Sequence, residues 1–95
     1  MERHDETLRL RTEGLNWREI DGEVVVLDVD RSHYLNLNPT GSAIWLMLAE
    51  GATEPELVDR LTQEFEVDEQ TAGNDVTSFL AACRQNGLLA ATGDA

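Results

Sequence analysis

Lysine is absent from this 95-residue chain, and seven arginines face 19 aspartates and glutamates, for a formal net charge of −12. A field of that sign repels phosphate backbones and anionic lipid, so nucleic acid and membrane surfaces are poor partners. A single cysteine, Cys83, excludes an internal disulfide, and Met1 to Glu6 lacks the apolar run of a signal peptide. No apolar stretch approaches the ~20 residues that cross a bilayer. The chain therefore reads as cytoplasmic, with no membrane association of its own.

Catalytic and metal-binding groups are equally sparse. Cys83 has only His4 and His33 as candidate bases, and its spacing from Val76 and Phe79 places it on the apolar stripe of a helix, where a packing role is expected. One cysteine and two distant histidines cannot supply the usual zinc ligands, and the carboxylates follow no calcium-loop spacing. Each of the seven glycines stands alone, so no phosphate-cradling loop is present. The expectation is a chain that is not an enzyme and has no catalytic residue, metal or cofactor.

What is present is periodic apolar sequence: 41% of the chain, enough for one domain with a modest core. Trp17 to Ile20 and Glu23 to Val29 flank Asp21-Gly22, a dipeptide that favours a two-residue hairpin turn. A turn at Asp30 to Ser32 leads to a third strand, His33 to Leu37, with Leu35 and Leu37 alternating against Tyr34 and Asn36. Asn38-Pro39 then offers a cap and a first helical residue, and Gly51 an end, for a helix stacking Ile44, Trp45, Leu46 and Leu48.

Thr53 to Glu56 has the spacing of a capping box and opens a second helix with a Leu57, Val58, Leu61, Phe65 stripe. Val67-Asp68 breaks and caps the chain before a third helix carrying Ala72, Val76, Phe79, Leu80 and Cys83, stopped by Gly87. Residues 1–14 are expected to be a mostly flexible segment, 15–89 the domain, and 90–95 a loose tail. Leu88 and Leu89 are expected to fold back on the core.

Strands followed by helices with short connections make an α+β domain, a three-stranded antiparallel sheet followed by three helices, similar to a winged helix-turn-helix. With only Arg84 basic in the third helix, that likeness does not extend to DNA binding. The strand His33 to Leu37 is an edge with no lysine or proline guarding it, open to pairing with another chain. On these grounds both a peptide-binding adaptor and a generic winged-helix protein-interaction module stand open.

The run Tyr34-Leu35-Asn36-Leu37-Asn38-Pro39-Thr40-Gly41-Ser42-Ala43-Ile44-Trp45 resembles the PqqD-like family of precursor-peptide recognition elements. Within it, the likeness is to the stand-alone leader-binding proteins of lasso-peptide biosynthesis, through Asp21-Gly22, Leu57, Leu61, Val76, Phe79-Leu80 and Gly87-Leu88-Leu89. It covers residues 15–89.

The resemblance implies that the leader of a ribosomally synthesised precursor pairs antiparallel with the third strand, beside the third helix. The implied peptide-binding residues are His33, Tyr34, Leu35, Asn36 and Leu37 on the strand, and Asp75, Val76, Phe79, Ala82 and Cys83 on the helix. The implied partners are the precursor leader, a separate cysteine leader peptidase and a cyclase.

Overall fold

The computed structural model describes residues 6–90. Three strands, β1 (Leu15–Ile20), β2 (Glu23–Asp28) and β3 (His33–Asn36), precede three helices, α1 (Pro39–Glu50), α2 (Glu54–Glu64) and α3 (Glu69–Gln85). The sheet is antiparallel in the order β1-β2-β3, so β1 and β3 are its two edges. Asp21 and Gly22 both take positive φ, the geometry of the hairpin turn expected from their identity.

Local chemistry sets the helix ends. The Asn38 side chain accepts from the Gly41 N–H at 2.7 Å, opening α1. Thr53 and Glu56 form both bonds of the capping box, and Asp68 accepts from the Thr71 N–H at 2.8 Å. The Asp68 carboxyl is held below its usual range by that backbone N–H and a further bond from Thr71, against a smaller opposing effect of burial. At the end of α3 the Gly87 N–H reaches Arg84 O and the Leu88 N–H reaches Cys83 O, a Schellman motif that folds buried Leu88 onto the core.

The helices cover one face of the sheet. Val24 and Val26 of β2 point into a core with Ile44, Trp45, Leu48, Leu57, Leu61, Val76 and Leu80. Trp17 packs edge-on against Trp45, ring centroids 6.2 Å apart, and closes the core beneath β1. Phe65, expected on the α2 stripe, lies one residue past the helix as its extended C-cap and is half-buried against the same core.

The segment before β1 departs from expectation. Residues 1–5 and 91–95 lie outside the described residues, but Leu8 and Leu10 are only 5% and 7% exposed. They form antiparallel bridges to Ala52 and Leu89. Arg11 ties this segment down by donating to Gly87 O at 2.8 Å, Glu13 O at 2.9 Å and the buried Asp28 carboxylate at 2.9 Å. Burial raises the Asp28 pKa, but the Arg11 bond and charge, with help from Arg31, outweigh it and leave the carboxyl below its usual range. Ala90, expected in the loose tail, donates its N–H to Arg9 O at 2.8 Å. Alternating Leu8-Arg9-Leu10-Arg11 is a two-residue pattern whose apolar half fills a gap left by the helices.

β3 is also one residue shorter than expected. The Leu37 N–H still donates to Val24 O at 2.9 Å, but the reciprocal rung is replaced by Ser42. Its buried hydroxyl accepts from Val24 N–H at 2.8 Å and donates to Leu37 O at 3.3 Å. The hydroxyl thus fastens the end of the sheet to the first turn of α1.

Candidate functional site

Backbone geometry decides what each edge of the sheet offers. In an antiparallel ladder, hydrogen bonds fall on alternate residue pairs. Since Leu37 bonds to Val24, and the register pairs Leu35 with Val26 and His33 with Asp28, those residues of β3 face β2. Tyr34 and Asn36 therefore direct their N–H and C=O groups to the open edge. Four hydrogen-bonding groups in a row, from two residues of one strand, are available to another chain.

Side chains on β3 divide the other way. Leu35 pairs with inward-facing Val26 and packs against the core, whereas Tyr34, paired with Leu27 on the outer face, is 69% exposed. His33 is exposed at the start of the strand, opposite Asp28, and Leu37 is half-buried against the core beyond its end.

Beside the end of β3, α1 and α3 enclose a groove of about 310 Å³. Phe79 and Ile44 supply its apolar surface, while Asn38, Thr40, Asp75 and Ser78 supply polar atoms. The close approach of the helices depends on Gly41, because a Cβ there would lie 3.1 Å from both the Phe79 ring and Asn38 Oδ1. Any larger residue would displace the ring that forms the wall.

Of the five helix residues expected in the wall, Asp75 and Phe79 line this groove and Ala82 is exposed one turn further along α3. Val76 and Cys83 do not line the groove. They are 0% and 3% exposed, because at 100° per residue they fall with Leu80 on the side facing the core. Burial also pushes the Cys83 thiol up to about 11, with Arg84 opposing, so it carries little thiolate near neutral pH. Among the described residues, no group of three or more His, Cys, Asp or Glu is placed to hold a metal. Among them, too, no helix is long and apolar enough to cross a membrane.

Asn38, Thr40, Gly41, Ile44 and Ser78 were not among the expected site residues. Gly41 had a signal in the sequence, since a glycine inside a helix costs about 1 kcal/mol relative to alanine and so points to a close contact. Ser78 had none. A larger hollow, about 600 Å³, lies on the outer face of the sheet between Arg18, Ile20, Val25, Leu27 and Tyr34. It offers side chains only, because the strands consume their interior backbone groups in pairing; the β3 edge offers backbone and groove together.

A family model, Coenzyme PQQ synthesis protein D (PqqD), matches residues 23–89. Among solved structures, TbiB1 in complex with the TbiA(beta) leader peptide is 34% identical, with a TM-score of 0.79 over 90% of this chain and 99% of that one. Lasso peptide synthetase B1 complexed with the leader peptide is 27% identical, with a TM-score of 0.77 over 88% and 98%. The PqqD truncation of Methylobacterium extorquens PqqCD, a stand-alone RiPP recognition element, shares the fold at 19% identity, with a TM-score of 0.70 over 94% of each chain. No curated protein matches. With more than half its length under the family model, this chain belongs to the PqqD family.

Proposed function

We propose that this chain binds the leader of a ribosomally synthesised precursor as an added antiparallel strand on β3, and delivers it to a separate cysteine leader peptidase and cyclase of a lasso-peptide pathway. The observation that carries the reading is the free row of backbone groups at Tyr34 and Asn36, immediately beside the groove walled by Phe79. The two relatives above 25% identity, both solved with leader peptides, support the same ligand class. The chain acts as an adaptor in the cytoplasm and performs no bond chemistry itself.

The energetics require both parts of the site. A few ladder hydrogen bonds at ~1 kcal/mol net each fall short of the roughly −8 kcal/mol of micromolar binding. One or two large apolar leader side chains entering the groove add on the order of 1.5 to 3 kcal/mol each. Strand addition thus sets alignment, and the groove selects sequence.

Hydrogen exchange with a synthetic leader from the precursor encoded beside this chain tests the reading. The amides of Tyr34 and Asn36 are expected to slow, while those of Trp17 and Glu19, which face the opposite edge, keep their free-state rates. Protection at β1, or binding with no change at β3, overturns strand addition on β3.

A further inference from the structure

The two ends of the free β3 edge are flanked by opposite charges, Asp75 in the groove and Arg31 outside it. Asp75 stands with Phe79 at the end where β3 runs into α1, beside Asn38. At the other end, the turn before β3 places the Arg31 guanidinium against the close of α3: a Cβ on Gly87 would lie 3.4 Å from Arg31 Nη2 and 3.7 Å from Arg11 Nη1. Helix α3 therefore runs opposite to β3, its middle near Asn38 and its end near the turn preceding His33. The Arg11 guanidinium is paired with Asp28, whereas Arg31 reaches Asp28 through its backbone N–H at 3.4 Å and a weaker charge interaction, and is exposed.

We infer that this polarity selects the direction and charge pattern of the peptide: a basic residue toward the N-terminal end of the bound strand, meeting Asp75, and an acidic residue toward its C-terminal end, meeting Arg31. This rests on the proposed binding mode, because an antiparallel strand on β3 enters at the Asn36 end and leaves at the His33 end. A peptide laid in parallel, or with the charges exchanged, sets like charges together at both ends. The hydrogen-bonding groups at Tyr34 and Asn36 accept either direction, so the charges flanking the two ends of β3 are what discriminate. In a chain of net charge −12, an arginine before the start of β3 also counters general repulsion of an acidic residue there.

Selection of a displayed library of random 12-residue peptides on the purified full chain tests this. Binders are expected to carry Lys or Arg on the N-terminal side of their apolar anchor and Asp or Glu on the C-terminal side. Repeating the selection on Arg31→Glu is expected to exchange the acidic preference for a basic one, and Asp75→Lys the basic preference for an acidic one, each leaving the apolar anchor in place. For a single selected peptide, reversing one of these exposed charges is expected to weaken binding about three- to tenfold at low salt, with most of the difference lost at 0.5 M salt. Apolar binders without charge bias, or biases that ignore both reversals, overturn the inference and leave strand addition standing. If no peptide is enriched, the peptide-binding reading fails and this inference falls with it.

Discussion

β1 and β3 are edges of one sheet, yet their flanks differ. By the same alternation that frees Tyr34 and Asn36, the bond from Val29 N–H to Gly14 O leaves Leu15, Trp17 and Glu19 with backbone groups directed away from β2. β1 is even the longer strand, six residues against four. Beneath β1, Trp17 packs on Trp45, and beside it lies a hollow of about 380 Å³ lined by residues 9–12 of the N-terminal segment with Leu15, Trp17 and Ala49. Beside β3 the space between α1 and α3 is open. Each edge thus has a hollow beside it, and the two differ in lining: Arg9 and Arg11 with Leu15 and Trp17 at β1, Phe79 and Ile44 with Asp75 near β3.

The comparison breaks most severely if the flank of β1 is emptied. Leu10→Ala is expected to cost about 2 to 5 kcal/mol, through lost transfer energy and the cavity left between the N-terminal segment and Leu89, and chemical denaturation measures it. A cost near zero would mean that the segment does not hold that flank in solution.

Acting on the other edge, Phe79→Asp is expected to weaken leader binding by about 10- to 100-fold, the equivalent of one large apolar contact, with the circular dichroism spectrum unchanged. Calorimetric titration reads the affinity. A like polar change at Ile20, on β1, leaves binding within about twofold.

Ser42→Ala sharpens the comparison from within, because it removes the hydroxyl that joins Val24 and Leu37 to α1. The buried Val24 N–H and the half-buried Leu37 carbonyl lose their partner, at about 1 to 3 kcal/mol. Thermal unfolding is expected to fall by roughly 4 to 8 °C per kcal/mol for a domain of this size. Faster exchange is expected at the Val24 and Leu37 amides but not at Arg18 in β1.

The smallest effect concerns acid. Asp28 has its folded pKa below the ordinary value of 3.8, so its contribution to stability is complete above that value and is lost as pH falls through the lower folded pKa. The Asp28→Asn variant is expected to show a shallower loss of stability below about pH 4 than the parent chain. Equal acid profiles would show that Arg11 and Asp28 do not couple the N-terminal segment to β2.

Where local chemistry was sufficient, the sequence alone specified the structure. Asp21-Gly22 set the hairpin, and Asn38-Pro39, Thr53 with Glu56, Asp68 and Gly87 set the helix ends, since each acts within a few residues of itself. The run around Tyr34 to Trp45 also pointed to the family. Tertiary structure decided the rest. It buried Val76 and Cys83 while leaving Asp75 and Phe79 at the groove, because the core's position, not residue type, chooses which side of a helix is free. It packed Leu8 and Leu10 against Ala52 and Leu89, partners far along the chain that no local pattern in residues 1–14 could announce.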